Sequence, residues 1–209
     1  MKRLRGGLLV LMLMTVFQSS AQLQTFNEER LDMDQGLMLT LGSWATANLV
    51  AGGVGWATTP EGEAQYFHQM NFFWNTVNLA LAVPGYLKAR KESTDLTFGE
   101  TLRVQNKTEA VFLINSGLDI GYMSAGLLLR SEARFNADRK DQWMGFGNSL
   151  LIQGGFLFVF DLTAYILHKR HFNKKLGGVI DQIDLSQNGI GLRWNIPNHP
   201  MNRYKYALL

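Results

Sequence analysis

Asp119 is the residue whose type and setting most demand a chemical role. It lies near the middle of Ala110–Leu129, an apolar run of twenty residues. A carboxyl group at that depth of a bilayer costs several kcal/mol unless it faces protein, water or a ligand. Other apolar runs carry polar side chains too: Asn48, then Asn71, Asn75 and Asn78, then Gln153, with Asp161 further along the last run. Counted from one face of a helical bundle, Asn48, Asn75 or Asn78, Asp119 and Gln153 agree in depth within roughly one turn at ~1.5 Å per residue. The spacing therefore predicts a polar layer at mid-membrane, one side chain from each of four helices. Amides there have a plain reading as interhelical hydrogen bonds worth about 0.6–2 kcal/mol each. A carboxyl group has a sharper one, a ligand, ion or proton site, because an amide would hold helices together equally well. Asp161 is a secondary candidate. It sits seven residues deeper than Asp119, on the order of 10 Å, which argues against a directly hydrogen-bonded pair.

Other chemistry is thinly represented. The sequence has no Cys, which removes disulfides, thiolate metal sites and a cysteine nucleophile. His68 and His168 fall at opposite ends of antiparallel helices and cannot ligate one metal. His168 and His171 stand beside Lys169 and Arg170 and read as a solvated helix end. There is no Walker A loop, no His-Glu-x-x-His, no Gly-x-Ser-x-Gly, and Gly145-Phe-Gly147 lacks the strand and third glycine of a dinucleotide fingerprint. The expectation is no catalytic residue, no metal and no cofactor, with the balance against an enzyme.

The elements that must position Asp119 are visible in the charge pattern. Over 209 residues the apolar fraction is 46% and the mean hydropathy −0.05, yet the charges are clustered. None occurs over Gln35–Thr59 or Ala64–Leu87, and they crowd into Lys88–Glu109 and Arg130–Asp141. That alternation is the mark of membrane spans between charged connectors. Residues 1–21 read as a signal peptide, with Lys2, Arg3 and Arg5 before an apolar core and Ser19-Ser20-Ala21 at its end. An acidic leader, 22–35, follows. Spans are predicted at about 36–57, 66–87, 110–129 and 143–167 within a domain at 36–168. In the first, Ala47, Ala51 and Gly55 form a small-residue face for a close neighbour. Pro60-Glu61-Gly62-Glu63 is a turn, and Pro84 is tolerable near the end of the second span. Beyond a basic juxtamembrane segment, alternation around Asn188-Gly189 predicts a β-hairpin at about 179–196. The fold class is thus an all-α membrane protein, an antiparallel four-helix transmembrane bundle with a small C-terminal β-hairpin. At an offset of 74, Ala51-Gly52, Met70 and Phe72 recur as Ala125-Gly126, Met144 and Phe146. This is the trace of a duplicated helical hairpin with both halves in one orientation.

Two orientation signals oppose each other. A cleaved signal places the leader, the 88–109 connector and the tail outside. Those segments hold ten Lys and Arg near the spans against four on the other face, which the positive-inside rule would put in the cytoplasm. The net charge of +3 is too small to argue for nucleic acid.

The Ser-Ser-Ala-Gln signal end, Asn-Phe-Phe-Trp-Asn-Thr-Val-Asn at 71–78 and Gln-Gly-Gly-Phe-Leu-Phe-Val-Phe-Asp at 153–161 carry a resemblance. The chain resembles small, uncharacterised four-span integral membrane proteins of Bacteroidetes-type bacteria. That resemblance implies an envelope location and brings no activity with it. The functional expectation is a non-enzymatic multi-pass bundle, in the bacterial inner membrane, that binds a partner protein or lipid. Its surroundings are the lipid bilayer and a protein partner or a second copy. The alternative is a small proton- or ion-coupled transporter-like protein using Asp119, and the third is an intramembrane enzyme.

Overall fold

The computed structural model describes the backbone of residues 2–177, 183–186 and 189–192, and the side chains of 21–177. The chain forms two compact units, Met1–Lys169 and Arg170–Leu209. Four long helices carry the fold: α1 (Lys2–Thr58), α2 (Glu63–Lys91), α3 (Phe98–Glu132) and α4 (Lys140–Phe172). The turn between α1 and α2 closes at Gly62, whose φ of 152° is open to glycine and strained for other residues. α3 begins in a capping box. The Thr97 hydroxyl accepts from the Glu100 N–H, and the Glu100 carboxylate accepts from the Thr97 N–H at 2.9 Å. A short 3₁₀ turn, Ala137–Arg139, leads into α4.

Side-chain pairings fix the directions. Gly52 meets Phe72 and Gly85 meets Met38, so α2 runs antiparallel to α1. Gly126 meets Gly147 and Gly154 meets Met123, so α4 runs antiparallel to α3. Asn27 of α1 donates to the Thr101 hydroxyl of α3 at 2.9 Å, at the same end of both helices. The result is an up-down-up-down arrangement.

Its interior mixes an apolar cluster around Leu41, Phe112 and Phe160 with many polar side chains, and much of its surface is apolar. Asn27, Arg30, Asn75, Gln105, Gln153 and His168 are among the most deeply buried side chains, whereas Val50, Val77, Leu81, Ile114, Leu128 and Val159 are exposed. Water would drive the opposite distribution. A solvent of hydrocarbon explains it, because polar groups must then find each other inside.

The expected fold class is corrected on two counts. Among the described residues three helical stretches, Ala21–Thr58, Phe98–Glu132 and Ala137–Gly177, are long and apolar enough to cross a membrane, not four. α2 is long and carries no charge over 64–87, but three asparagines, two glutamines and His68 hold its hydropathy below that of a span. The second count is the hairpin. The chain's fold is all-helical. At the C-terminus, Ile183–Ser186 pairs antiparallel with Gly189–Leu192, and among the described residues no third strand joins them, so there is no sheet layer. The remainder of the expected 179–196 hairpin lies outside the described residues.

The segment read as a separate leader, 22–35, is helical and continuous with the first span inside α1. The small-residue face is also revised. Ala47 and Ala51 are exposed, Gly55 does pack directly against the His68 ring as the face predicts, and a further close approach falls at Gly52. A Cβ there would stand 2.9 Å from the Phe72 backbone nitrogen. Its counterpart at the offset of 74, Gly126, makes the same use of its missing side chain, since a Cβ would stand 2.8 Å from the Gly147 carbonyl oxygen. Asn27 and Thr101 are 74 apart as well, and they bond to each other. Equivalent positions thus do equivalent work in two hairpins that point the same way, as a duplication would produce.

Candidate functional site

Three polar groupings fill the interior of the first unit. The first is an amide network. The Trp44 indole N–H donates to Gln153 Oε1 at 3.0 Å. Gln153 Nε2 donates in turn to Asn71 Oδ1 and to Asn48 Oδ1 at 3.5 Å. Asn71 Nδ2 reaches the same Asn48 oxygen at 3.1 Å. Asn75 donates to the Asn71 carbonyl at 2.8 Å, and Asn78 to Asn75 Oδ1 at 3.2 Å. The spacing of four and three along α2 places all three asparagines on one face, so each amide hands its hydrogen bond to the next. Trp44 stacks on Phe156 with ring centroids 3.8 Å apart, which fixes the indole over Gln153.

The second grouping is a pair of carboxyls. Asp119 and Asp161 lie close enough to interact, and Asn115 stands beside Asp161 on the same cavity wall. Both acids are buried, Asp119 to 2% exposure, and Asp119 Oδ2 has no hydrogen-bond partner. The axial offset that argued against a directly hydrogen-bonded pair is real, and side-chain direction narrows it. Each Cα–Cβ bond leans toward the N-terminus of its own helix. On antiparallel α3 and α4 the two aspartates therefore lean toward each other.

The pair forms part of the wall of a cavity of about 520 Å³. Trp74 and Asn78 of α2, Asn115 and Tyr122 of α3, and Phe160 of α4 also line it. Trp74 and Tyr122 pack edge to face at 4.7 Å, and the Trp74 indole N–H is buried without a partner. Val77, Leu81 and Leu118, which are exposed, complete the lining. Among the described residues no Lys, Arg or His lines this cavity.

The third grouping lies at the end of the bundle that holds the α2–α3 connection. Arg30, 1% exposed, donates to Asp34 at 3.3 Å and to Glu92 at 2.8 Å. Gln105 donates to Glu109 at 2.9 Å, and Lys169 donates to the other Glu109 oxygen at 3.0 Å. His168 is fully buried, not a solvated helix end. Its ring stacks on Phe112 at 5.7 Å, and its Nε2 lies 3.2 Å from Asp34 Oδ1 without the alignment of a hydrogen bond.

Of the residues singled out from sequence, Asn48, Asn75, Asn78 and Gln153 thus share one network, while Asp119 belongs with Asp161. Asn78 touches both, since it ends the amide chain and lines the cavity. Three participants were missed, and Asn71, read beside Asn75 and Asn78, was left out of the predicted layer. Asn71 and Trp44 complete the network, Asn115 stands beside Asp161, and Arg30 organises the far end. A signal existed for most of them. Asn71 precedes Asn75 by four residues, Asn115 precedes Asp119 by four, and Asn27, Arg30 and Asp34 repeat at three and four. One-turn spacing of polar groups in a membrane helix marks a buried stripe. Among the described residues no group of three or more His, Cys, Asp and Glu is placed to hold a metal ion.

No curated protein and no solved structure matches the chain. A family model does, over residues 40–162, and its description is a family of unknown function, DUF6992. The matched stretch contains the whole amide network and both carboxyls of the cavity. This chain belongs to that family, whose members share the segment in which the polar layer and the cavity are built.

Proposed function

We propose that the protein is a non-enzymatic, membrane-embedded bundle that takes up a lipid-like amphiphile from the bilayer. The observation that carries this reading is the cavity, with apolar walls on α2 and α3 and the Asp119–Asp161 pair behind them. Its size, about 520 Å³, falls within the range of small-molecule pockets, and so does its composition, apolar walls with few convergent polar groups. Val77, Leu81 and Leu118 are exposed, so a molecule dissolved in the hydrocarbon meets apolar side chains on its way in. The amide network holds three helices in register and leaves the carboxyls unencumbered. The bacterial inner membrane is the location that the signal-like start and the multi-pass pattern support.

The test is native mass spectrometry of detergent-purified protein after incubation with a total bacterial lipid extract. The expected result is a retained small-molecule adduct that is lost in the cavity-filling variant Val77→Trp. Adducts of equal occupancy in both proteins, or none in either, would sink the proposal.

A second reading, proton-coupled transport, is favoured by the carboxyl pair itself. Two neighbouring carboxyl groups in an apolar interior offer a proton two places to reside. In proteoliposomes this reading expects a proton flux that Asp161→Asn abolishes, and a flux unchanged by that substitution would refute it.

A further inference from the structure

The cavity contains acids and no base, and that asymmetry says what kind of molecule belongs there. Asp119 is 2% exposed and its Oδ2 has no partner. In a membrane interior such a group is normally met by a cation, a backbone donor or a bound ligand. At the end of the same bundle the half-buried Asp34 and Glu92 are met by Arg30, and the buried Glu109 by Lys169. Around Asp119 and Asp161 the protein supplies one amide, Asn115, and no cation. Ionisation of either acid there leaves a negative charge that no side chain lining the cavity balances.

The walls decide which cation. Metal sites in proteins gather several His, Cys, Asp or Glu side chains, and among the described residues no group of three or more of these is placed to hold a metal ion. The rings of Trp74, Tyr122 and Phe160 line the cavity instead, and aromatic faces attract weakly hydrated organic cations. Val77 and Leu118 extend the apolar wall to the exposed side of the helices, a route for a molecule already dissolved in lipid.

We infer that the cavity binds a hydrophobic organic cation, of the lipophilic amine or quaternary ammonium class, with Asp119 and Asp161 as its counter-charge. This rests on the amphiphile-binding reading above and names the chemical class of its ligand. Asp119 supplies the free acceptor oxygen, Asp161 stands beside Asn115, and Trp74 and Tyr122 form the aromatic contact.

The experiment compares two probes of nearly equal shape, tetraphenylphosphonium and neutral tetraphenylsilane, by equilibrium dialysis against the full chain in detergent micelles. The Val77→Trp variant serves as the baseline for micelle partitioning. The expected result is cation affinity at least about tenfold above that of the neutral probe. Asp119→Asn should lower cation affinity by about tenfold and leave neutral binding within about twofold. Equal binding of both probes, blocked by Val77→Trp and indifferent to Asp119→Asn, overturns the cationic assignment and leaves amphiphile binding standing. Binding of neither probe above the Val77→Trp baseline overturns both. If Asp119→Asn does not fold, the preference of the unsubstituted protein for the cation decides alone.

Discussion

The two ends of the polar interior treat their acids in opposite ways. At the α2–α3 connection, Asp34, Glu92 and Glu109 each meet a basic side chain within 3.3 Å, and His168 closes the cluster from α4. In the cavity, Asp119 and Asp161 meet each other and an asparagine. The first arrangement is what a structural cluster needs, since each buried charge is neutralised from within the chain. The second leaves a demand that the chain does not fill. Burial of a carboxyl therefore does not by itself mark a site. What marks it is burial without internal compensation beside an open volume.

The comparison can be broken at its structural end first. Arg30→Met leaves Asp34 and Glu92 without their shared guanidinium. Breaking a buried pair costs about 3–5 kcal/mol, and the lower end applies here because both acids keep some access to water. Thermal unfolding in detergent should show that loss. A cost below about 1 kcal/mol, the range of an exposed pair, would mean that the end cluster is not held by its charges.

Next in size is the glycine crossing beside the cavity. A Cβ on Gly147 would stand 2.6 Å from the Gly126 carbonyl oxygen, so Gly147→Leu should cost about 1–3 kcal/mol by overpacking. Gly121 has nothing within 4 Å, and Gly121→Ala should be neutral or stabilising by up to about 1 kcal/mol. If the two behave alike in an unfolding assay, the bundle around the cavity is slack and the cavity is no built site.

Smaller again is the amide network. Asn71→Leu removes the partner of Gln153, Asn48 and Asn75 at one stroke. Interhelical bonds in membranes are worth about 0.6–2 kcal/mol, so a destabilisation of about 1–2 kcal/mol is expected, with cation binding retained. Loss of binding in a protein of unchanged stability would move the site from the carboxyls to the amides.

Much of this was legible in the sequence, and the failures have physical causes. The charge gaps located all four helices, because hydrocarbon excludes ionised side chains whatever the fold. Depth counting brought Asn48, Asn75, Asn78 and Gln153 together, because rise per residue is nearly constant. Depth counting failed for Asp161, because it tracks Cα positions while two leaning side chains on antiparallel helices narrow a gap of about two turns. It failed for Arg30 and His168 for another reason. A basic residue flanking an apolar run usually snorkels to water, and only the extension of α1 through 22–35 covers these two. The small-residue face held at Gly55, which packs against His68, and failed at Ala47 and Ala51, because small residues outline a stripe while close packing chooses positions along it.

The smallest expected effect on stability is also the most informative. Asp119→Asn keeps the shape of the side chain and replaces a carboxyl by an amide that can donate to Asp161. If Asp119 were a structural tie like Arg30, its loss would resemble that of a broken ion pair, several kcal/mol. The cavity reading expects the reverse. Oδ2 has no partner to lose, and the amide relieves the crowding of two acids. Stability should therefore stay within about 0.5 kcal/mol of the unsubstituted protein or rise slightly, while cation binding falls. Unfolding and dialysis on the same preparation read the two quantities together. Destabilisation on the scale of Arg30→Met would place Asp119 with the end cluster, and the distinction between compensated and uncompensated acids in this molecule would then be void.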